Sequence, residues 1–198
     1  KDSGGNEGNL GEGSVQWMTA GRGIIHSEMP IQTDGLARGF PLWLNLPKEK
    51  KMIEPAYQDI DAGQIPIVEE KAGTVKVISG NYNDTMGPGT SHTPVLILDI
   101  RLNPESEITI PVTDGWTAFG FVYEGEVRSG KTISKGQLAV FEKDRTIHFN
   151  TSGKSAAIYF VAGEPLNEPV ARGGPFVMNT QGEILQAFTD YQNGVLDK

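Results

Sequence analysis

The chain has 198 residues, of which 37 % are hydrophobic and 21 % charged, with 25 glycines, 12 prolines, no cysteine and a formal net charge of −8 at pH 7. That length allows one large domain or two small ones, each able to bury a core, and the mix suits a β-rich fold with many turns better than a helical bundle. The missing cysteine excludes disulfides, thiolate metal sites and cysteine nucleophiles, the acidic balance argues against direct nucleic-acid binding, and no apolar run approaches the roughly 20 residues of a membrane span.

Lys1 to Ser14 is glycine-rich and poor in apolar residues, and alone it reads as a flexible leader. Val15 to Met18 starts the first strand. Thr19-Ala20-Gly21-Arg22-Gly23 is turn-prone, and Ile24-Ile25-His26-Ser27-Glu28-Met29-Pro30 follows it. On a strand, residues two apart share a face, so the spacing of His26 and Glu28 lets an imidazole and a carboxylate reach one metal ion. A solvated pair at a strand end is the alternative, because two ligands do not define a site. Gly39 to Pro47 reads as another strand, with Pro41 and Pro47 suggesting an edge or strand ends. Lys48 to Lys51 reads as a solvated charged turn, and Ile53 to Val68 as irregular. Thr74 to Ser79 alternates like a short strand, and Asn81 to Thr93 is a glycine- and proline-punctuated loop near a domain boundary.

Downstream, Val95–Leu102, Glu107–Pro111, Thr117–Tyr123, Leu138–Glu142, Thr146–Asn150 and Ala156–Ala162 are strand candidates separated by turn signals. Short strands at this spacing suggest a sandwich or barrel. Thr180-Gln181-Gly182-Glu183 has the form of a capping box. Ile184, Leu185, Phe188, Tyr191 and Val195 then recur at helical spacing, which predicts a C-terminal helix packing on the β structure.

The run Val15 to Pro30 resembles the signature of the pirin family. So do Leu42-Trp43-Leu44-Asn45-Leu46, Lys51-Met52-Ile53-Glu54-Pro55-Ala56-Tyr57-Gln58, Ala162-Gly163-Glu164-Pro165-Leu166-Asn167-Glu168-Pro169 and Gly174-Pro175-Phe176-Val177-Met178-Asn179-Thr180, in the same order. The resemblance implies an all-β bicupin: two antiparallel β-barrel (jelly-roll) domains plus a C-terminal helix. On this reading residues 1–80 are the remainder of the N-terminal, metal-bearing cupin domain, 81–178 a metal-free C-terminal cupin domain, and 179–198 the helix and tail. The family pattern sets two histidines of an upstream His-Pro-His-type motif beside the histidine and glutamate of the signature. His26 and Glu28 match the second pair, and the first pair has no counterpart in this chain. The chain also opens on Lys1 rather than methionine. The expectation is therefore a trimmed or partial form with an incomplete first barrel, and a genuine short form is the alternative.

The implied cofactor is Fe(II), since imidazoles with one carboxylate and open positions suit a non-haem iron centre. Its binding should weaken at low pH, where the ligands are protonated. Metal ligation is assigned to His26 and Glu28, with Glu28 also the catalytic proton acceptor. Trp17, Met18 and Arg22 are candidates for the substrate pocket, with Arg22 able to anchor an anion. Ile25 and Met29 flank the same stretch. His92 and His148 have no visible partner ligands. There is no legible Ser-His-Asp arrangement, phosphate loop or dinucleotide fingerprint.

The resemblance supports three readings. The first is an iron dioxygenase acting on flavonols such as quercetin, with a small-molecule substrate. The second is a redox-sensing regulatory protein with a protein partner, either a transcription factor or a metabolic enzyme. The third is a broken, inactive form that self-associates through open sheet edges. A cytoplasmic location is expected for the first two, and the lack of cysteine fits a reducing compartment.

Overall fold

The structure, a computed structural model, describes residues 1–5, 7–31, 34–141 and 145–197. In chain order the early strands are β1 (Val15–Thr19), β2 (Ala56–Ile60), β3 (Ile67–Glu70), β4 (Gly73–Ser79), β5 (Asn81–Tyr82) and β6 (Thr85–Met86). They are followed by β7 (Val95–Leu102), β8 (Glu107–Pro111), β9 (Thr117–Glu124), β10 (Glu126–Ser129), β11 (Lys131–Ser134) and β12 (Leu138–Phe141). The last elements are β13 (Thr146–Asn150), β14 (Ala156–Gly163), β15 (Ala171–Gly173), β16 (Phe176–Met178) and the helix α1 (Gln181–Gln192). Compactness divides the chain into a first unit of residues 1–10, 16–58 and 167–198 and a second unit of residues 11–15 and 59–166.

The second unit is a sandwich of two antiparallel sheets. The larger runs β12-β9-β14-β7-β4-β3 and the smaller β11-β10-β13-β8. Sequence pattern sets the place of each strand. Val-Leu-Ile-Leu at the start of β7 is apolar on both faces, and β7 lies inside the larger sheet, between β14 and β4. Glu-Ile-Thr-Ile-Pro in β8 and Thr-Ile-His-Phe-Asn in β13 alternate strictly, so one face is buried and the other solvated. Their register pairs Ile108 with Phe149 and Ile110 with Ile147 on the buried side, and Thr109 with His148 on the wet side. Val75, Leu98, Ile100, Val122, Ile158 and Phe160 of the larger sheet meet Ile110, Val127, Ile147 and Phe149 of the smaller in one core. The Phe149 ring stands edge-on to Phe160 at 6.2 Å and to Phe141 at 5.7 Å. That geometry is favoured by the aromatic quadrupole.

In the first unit, β15 pairs with β16, and α1 packs on that hairpin. Thr180 caps the helix: its Oγ1 accepts the Glu183 N–H at 3.3 Å, while the Glu183 carboxylate accepts the Thr180 N–H at 2.7 Å. Ile184 is the buried residue of the helix and lies over Gly173, and the Phe188 ring meets Phe176 edge-on at 5.1 Å. Leu185 and Tyr191, which share the apolar periodicity, are 68 % and 54 % exposed. Most of β1 and β2 also belongs here, and the two pair as a ribbon. Among the described residues the first unit forms no closed barrel. Among the described residues the chain is thus all-β with one C-terminal α-helix.

Several elements differ from expectation. Gly39 to Pro47 takes no ladder partner; among the described residues it is irregular, with Phe40, Trp43 and Leu44 exposed. Alternation makes a strand only where a neighbour accepts its backbone groups, and two prolines remove donors. Ile53 to Val68 is more ordered than expected: β2 lies within it, and so does a short turn at Ala62–Gln64, closed by a capping box from Asp61 to Gln64. Glu142, the last residue of the expected Leu138–Glu142 strand, lies outside the described residues.

Candidate functional site

After β1 the chain turns at Ala20–Gly23. The Gly23 N–H bonds the Ala20 carbonyl at 3.0 Å and the Arg22 N–H bonds the Ile53 carbonyl at 2.8 Å. Gly21 (φ +53°) and Gly23 (φ +143°) both sit in the region that favours glycine. Each also lacks room for a side chain: a Cβ on Gly21 would collide with the Ile53 carbonyl, and one on Gly23 would lie 2.7 Å from Leu196 Cγ. The turn-forming glycines of the sequence are therefore required twice over, by conformation and by close approach.

Beyond the turn, the Ser3 N–H bonds the Ile25 carbonyl at 2.7 Å, and the Ser27 N–H bonds the Lys1 carbonyl at 2.8 Å. His26 sits between them in a single antiparallel bridge with Asp2. Glu28 lies past that bridge, and both side chains are exposed. Among the described residues no three His, Cys, Asp or Glu gather in a way that would hold a metal ion. An imidazole and a carboxylate alone do not fit an iron centre, which needs more ligands than these two.

The other candidates separate. Trp17 and Met18 are half-buried neighbours in β1, so strand alternation points them to opposite faces. Ile25 and Met29 are exposed, Met29 at 79 %. The Arg22 guanidinium is engaged by the Glu54 carboxylate through Nη1, and its Nε is buried without a partner. His148 is exposed, with Nδ1 2.9 Å from Thr109 Oγ1, and His92 is exposed in its loop.

Lys51 is the residue that sequence reasoning placed wrongly. Read as part of a solvated charged turn, it is 5 % exposed. Its Nζ donates to Asn45 Oδ1 at 2.6 Å and to the Val177 carbonyl at 3.3 Å. Burial pushes its pKa down, and the carboxylates of Glu168 and Glu183 oppose that shift. Asn179, also buried, donates from Nδ2 to Glu168 at 3.1 Å and to the Pro169 carbonyl at 2.9 Å. The sequence signal was present but indirect: Asn45, Lys51, Glu168, Val177 and Asn179 all lie in the family-like motifs.

The pirin family profile matches residues 1–44, and the pirin C-terminal cupin domain profile matches residues 97–197. Pirin-1 of Arabidopsis thaliana is 42 % identical over 200 residues, covering 98 % of this chain and 69 % of its own length. Pirin of Homo sapiens is 40 % identical over 195 residues, covering 96 % and 67 %. A crystal structure of quercetin 2,3-dioxygenase from Acinetobacter baumannii superposes with a TM-score of 0.86 at 31 % identity, covering 99 % of this chain and 71 % of that one.

Proposed function

The chain belongs to the pirin family, and we propose that it carries half of the ligand set of a pirin-type oxygenase acting on a flavonol such as quercetin. The likeness to quercetin 2,3-dioxygenase over almost the whole chain is the observation that carries this reading. The cupin fold and that neighbour point to a metal cofactor, and Fe(II) is the metal we assign. His26 and Glu28 are the ligands that this chain contributes, and the reading requires further imidazoles beside them. On this reading the metal-bearing half lies within residues 1–80 and the metal-free cupin domain within residues 81–178, with β3 and β4 of the first range paired into the sheet of the second unit and 179–198 forming the helix and tail. Among the described residues no helix is long and apolar enough to cross a membrane.

Two properties of the chain's own residues support the assignment, and a third narrows the role of Arg22. Exposure leaves the His26 and Glu28 side chains open to further ligands. The paired backbone of Ser3, Ile25 and Ser27 fixes the chain on either side of His26. The Arg22 guanidinium is held by Glu54, so it acts as a brace of the loop rather than as a free anion anchor.

The test is anaerobic reconstitution with Fe(II), followed by iron per chain and by oxygen-dependent loss of quercetin. We expect saturable turnover wherever iron is bound, and its loss in both His26→Ala and Glu28→Ala. Turnover that survives both substitutions would sink the reading. Iron bound without turnover would move the assignment to the redox-sensing partner protein.

A further inference from the structure

The roles above leave the C-terminal segment of the first unit, residues 167–197, without one. Three of its links to the part of the chain that carries His26 matter here. At the first, Glu168 Oε2 accepts the Lys48 N–H at 2.8 Å. At the second, buried Lys51 reaches the Val177 carbonyl. At the third, the chain turns after α1 at Gly194 (φ +66°), with the Val195 N–H on the Asp190 carbonyl at 2.9 Å, and Leu196 comes down on Gly23. A Cβ on Gly23 would lie 2.7 Å from the Leu196 carbonyl oxygen as well as from its Cγ, so backbone and side chain both close on that glycine.

Gly23 lies three residues before His26. The loop is gripped from another side by Ile53, whose carbonyl takes the Arg22 N–H, and by the carboxylate of Glu54. Packing of this kind allows few positions, because close-packed groups transmit displacement rather than absorb it. We propose that Leu196 is a positioning residue: seated on Gly23, it makes the C-terminal segment a strap that holds the Ala20–His26 loop in one shape. Its consequence for chemistry rests on the reading of His26 and Glu28 as ligands; its effect on the loop does not.

The test uses the whole chain and amide hydrogen exchange. Leu196→Ala should speed exchange of the amides of residues 22–27 by about tenfold, the response expected of a local opening. The amides of β7 and β14 should keep their protection, and Leu196→Met should restore the loop. A chain ending at Gly194 should behave as Leu196→Ala does. Unchanged exchange over residues 22–27 in both variants would overturn the proposal. So would acceleration spread equally to β7 and β14, which would assign Leu196 to general packing. Iron per chain, measured separately, reports the ligand reading: the loop can respond as expected in a chain that binds no iron.

Discussion

At Lys51 a charge is held where charges are costly. An unfolded lysine titrates near 10.5, and burial holds this one lower. Between the lowered value and 10.5, the folded chain has released the proton and escaped the desolvation cost while the unfolded chain still binds it. The lysine's contribution to stability therefore rises with pH across that window. Burial raises the hydroxyl pKa of Tyr82 and Tyr123, and near pH 10 and above these groups act in the opposite sense. The readout is therefore the difference between wild type and Lys51→Met in denaturant melts from pH 8 to 11. At neutral pH the substitution should cost about 2 kcal/mol, because it leaves the half-buried Asn45 and Val177 acceptors unmatched. The deficit should widen with pH, and a deficit independent of pH would refute the assignment. Sequence hid this residue because a run of lysines is usually solvated, and its partner carbonyl is 126 positions away. The proposal for His26 and Glu28 has the opposite basis: their motif is contiguous, and a contiguous motif can be read without the fold.

Elements were legible where local pattern and neighbours agree. β8, β13 and β14 alternate or run apolar and find partners on both sides or on one, so pattern sufficed. The hairpin of β10 and β11 went unread: Glu-Val-Arg-Ser and Lys-Thr-Ile-Ser each bury one residue, Val127 and Ile133, too little for periodicity to show. Gly39–Pro47 failed in the other direction, since its pattern is strand-like but no ladder meets it. The helix α1 was legible through its cap, and the cap sets its stability. Thr180→Ala should cost about 1 kcal/mol. The Thr180 hydroxyl and backbone hold the Glu183 carboxyl below its ordinary pKa. Glu183 therefore stabilises the helix above the carboxylate range and ceases to do so as pH falls through the lowered value. Helix content of wild type should fall at the acid end of a pH series, and Thr180→Ala should flatten that fall. A parallel acid loss in both proteins would show that the cap is not its source.

For the whole molecule, the burial is unequally shared. The second unit holds the continuous core, in which Val75, Leu98, Ile110, Phe149 and Phe160 are all 0 to 2 % exposed. The first unit relies on glycine contacts, the Lys51 network and a single buried helix residue. Apolar burial contributes roughly 25 cal/mol per Å², so most of the stability should reside in the second unit, and a lesion there should register differently from one in the first. Phe149 is the sharpest case: its ring bridges the sheets, touching Phe160 across the sandwich. Phe149→Ala should cost about 3–5 kcal/mol by lost transfer energy and the cavity left behind. Exchange should then accelerate in β7, β13 and β14, whereas the amides of residues 22–27 should respond less than they do to Leu196→Ala. If the loop near His26 instead opens as far as the core strands do, the two units share one cooperative transition, and the protection of residues 22–27 derives from the sandwich rather than from the strap.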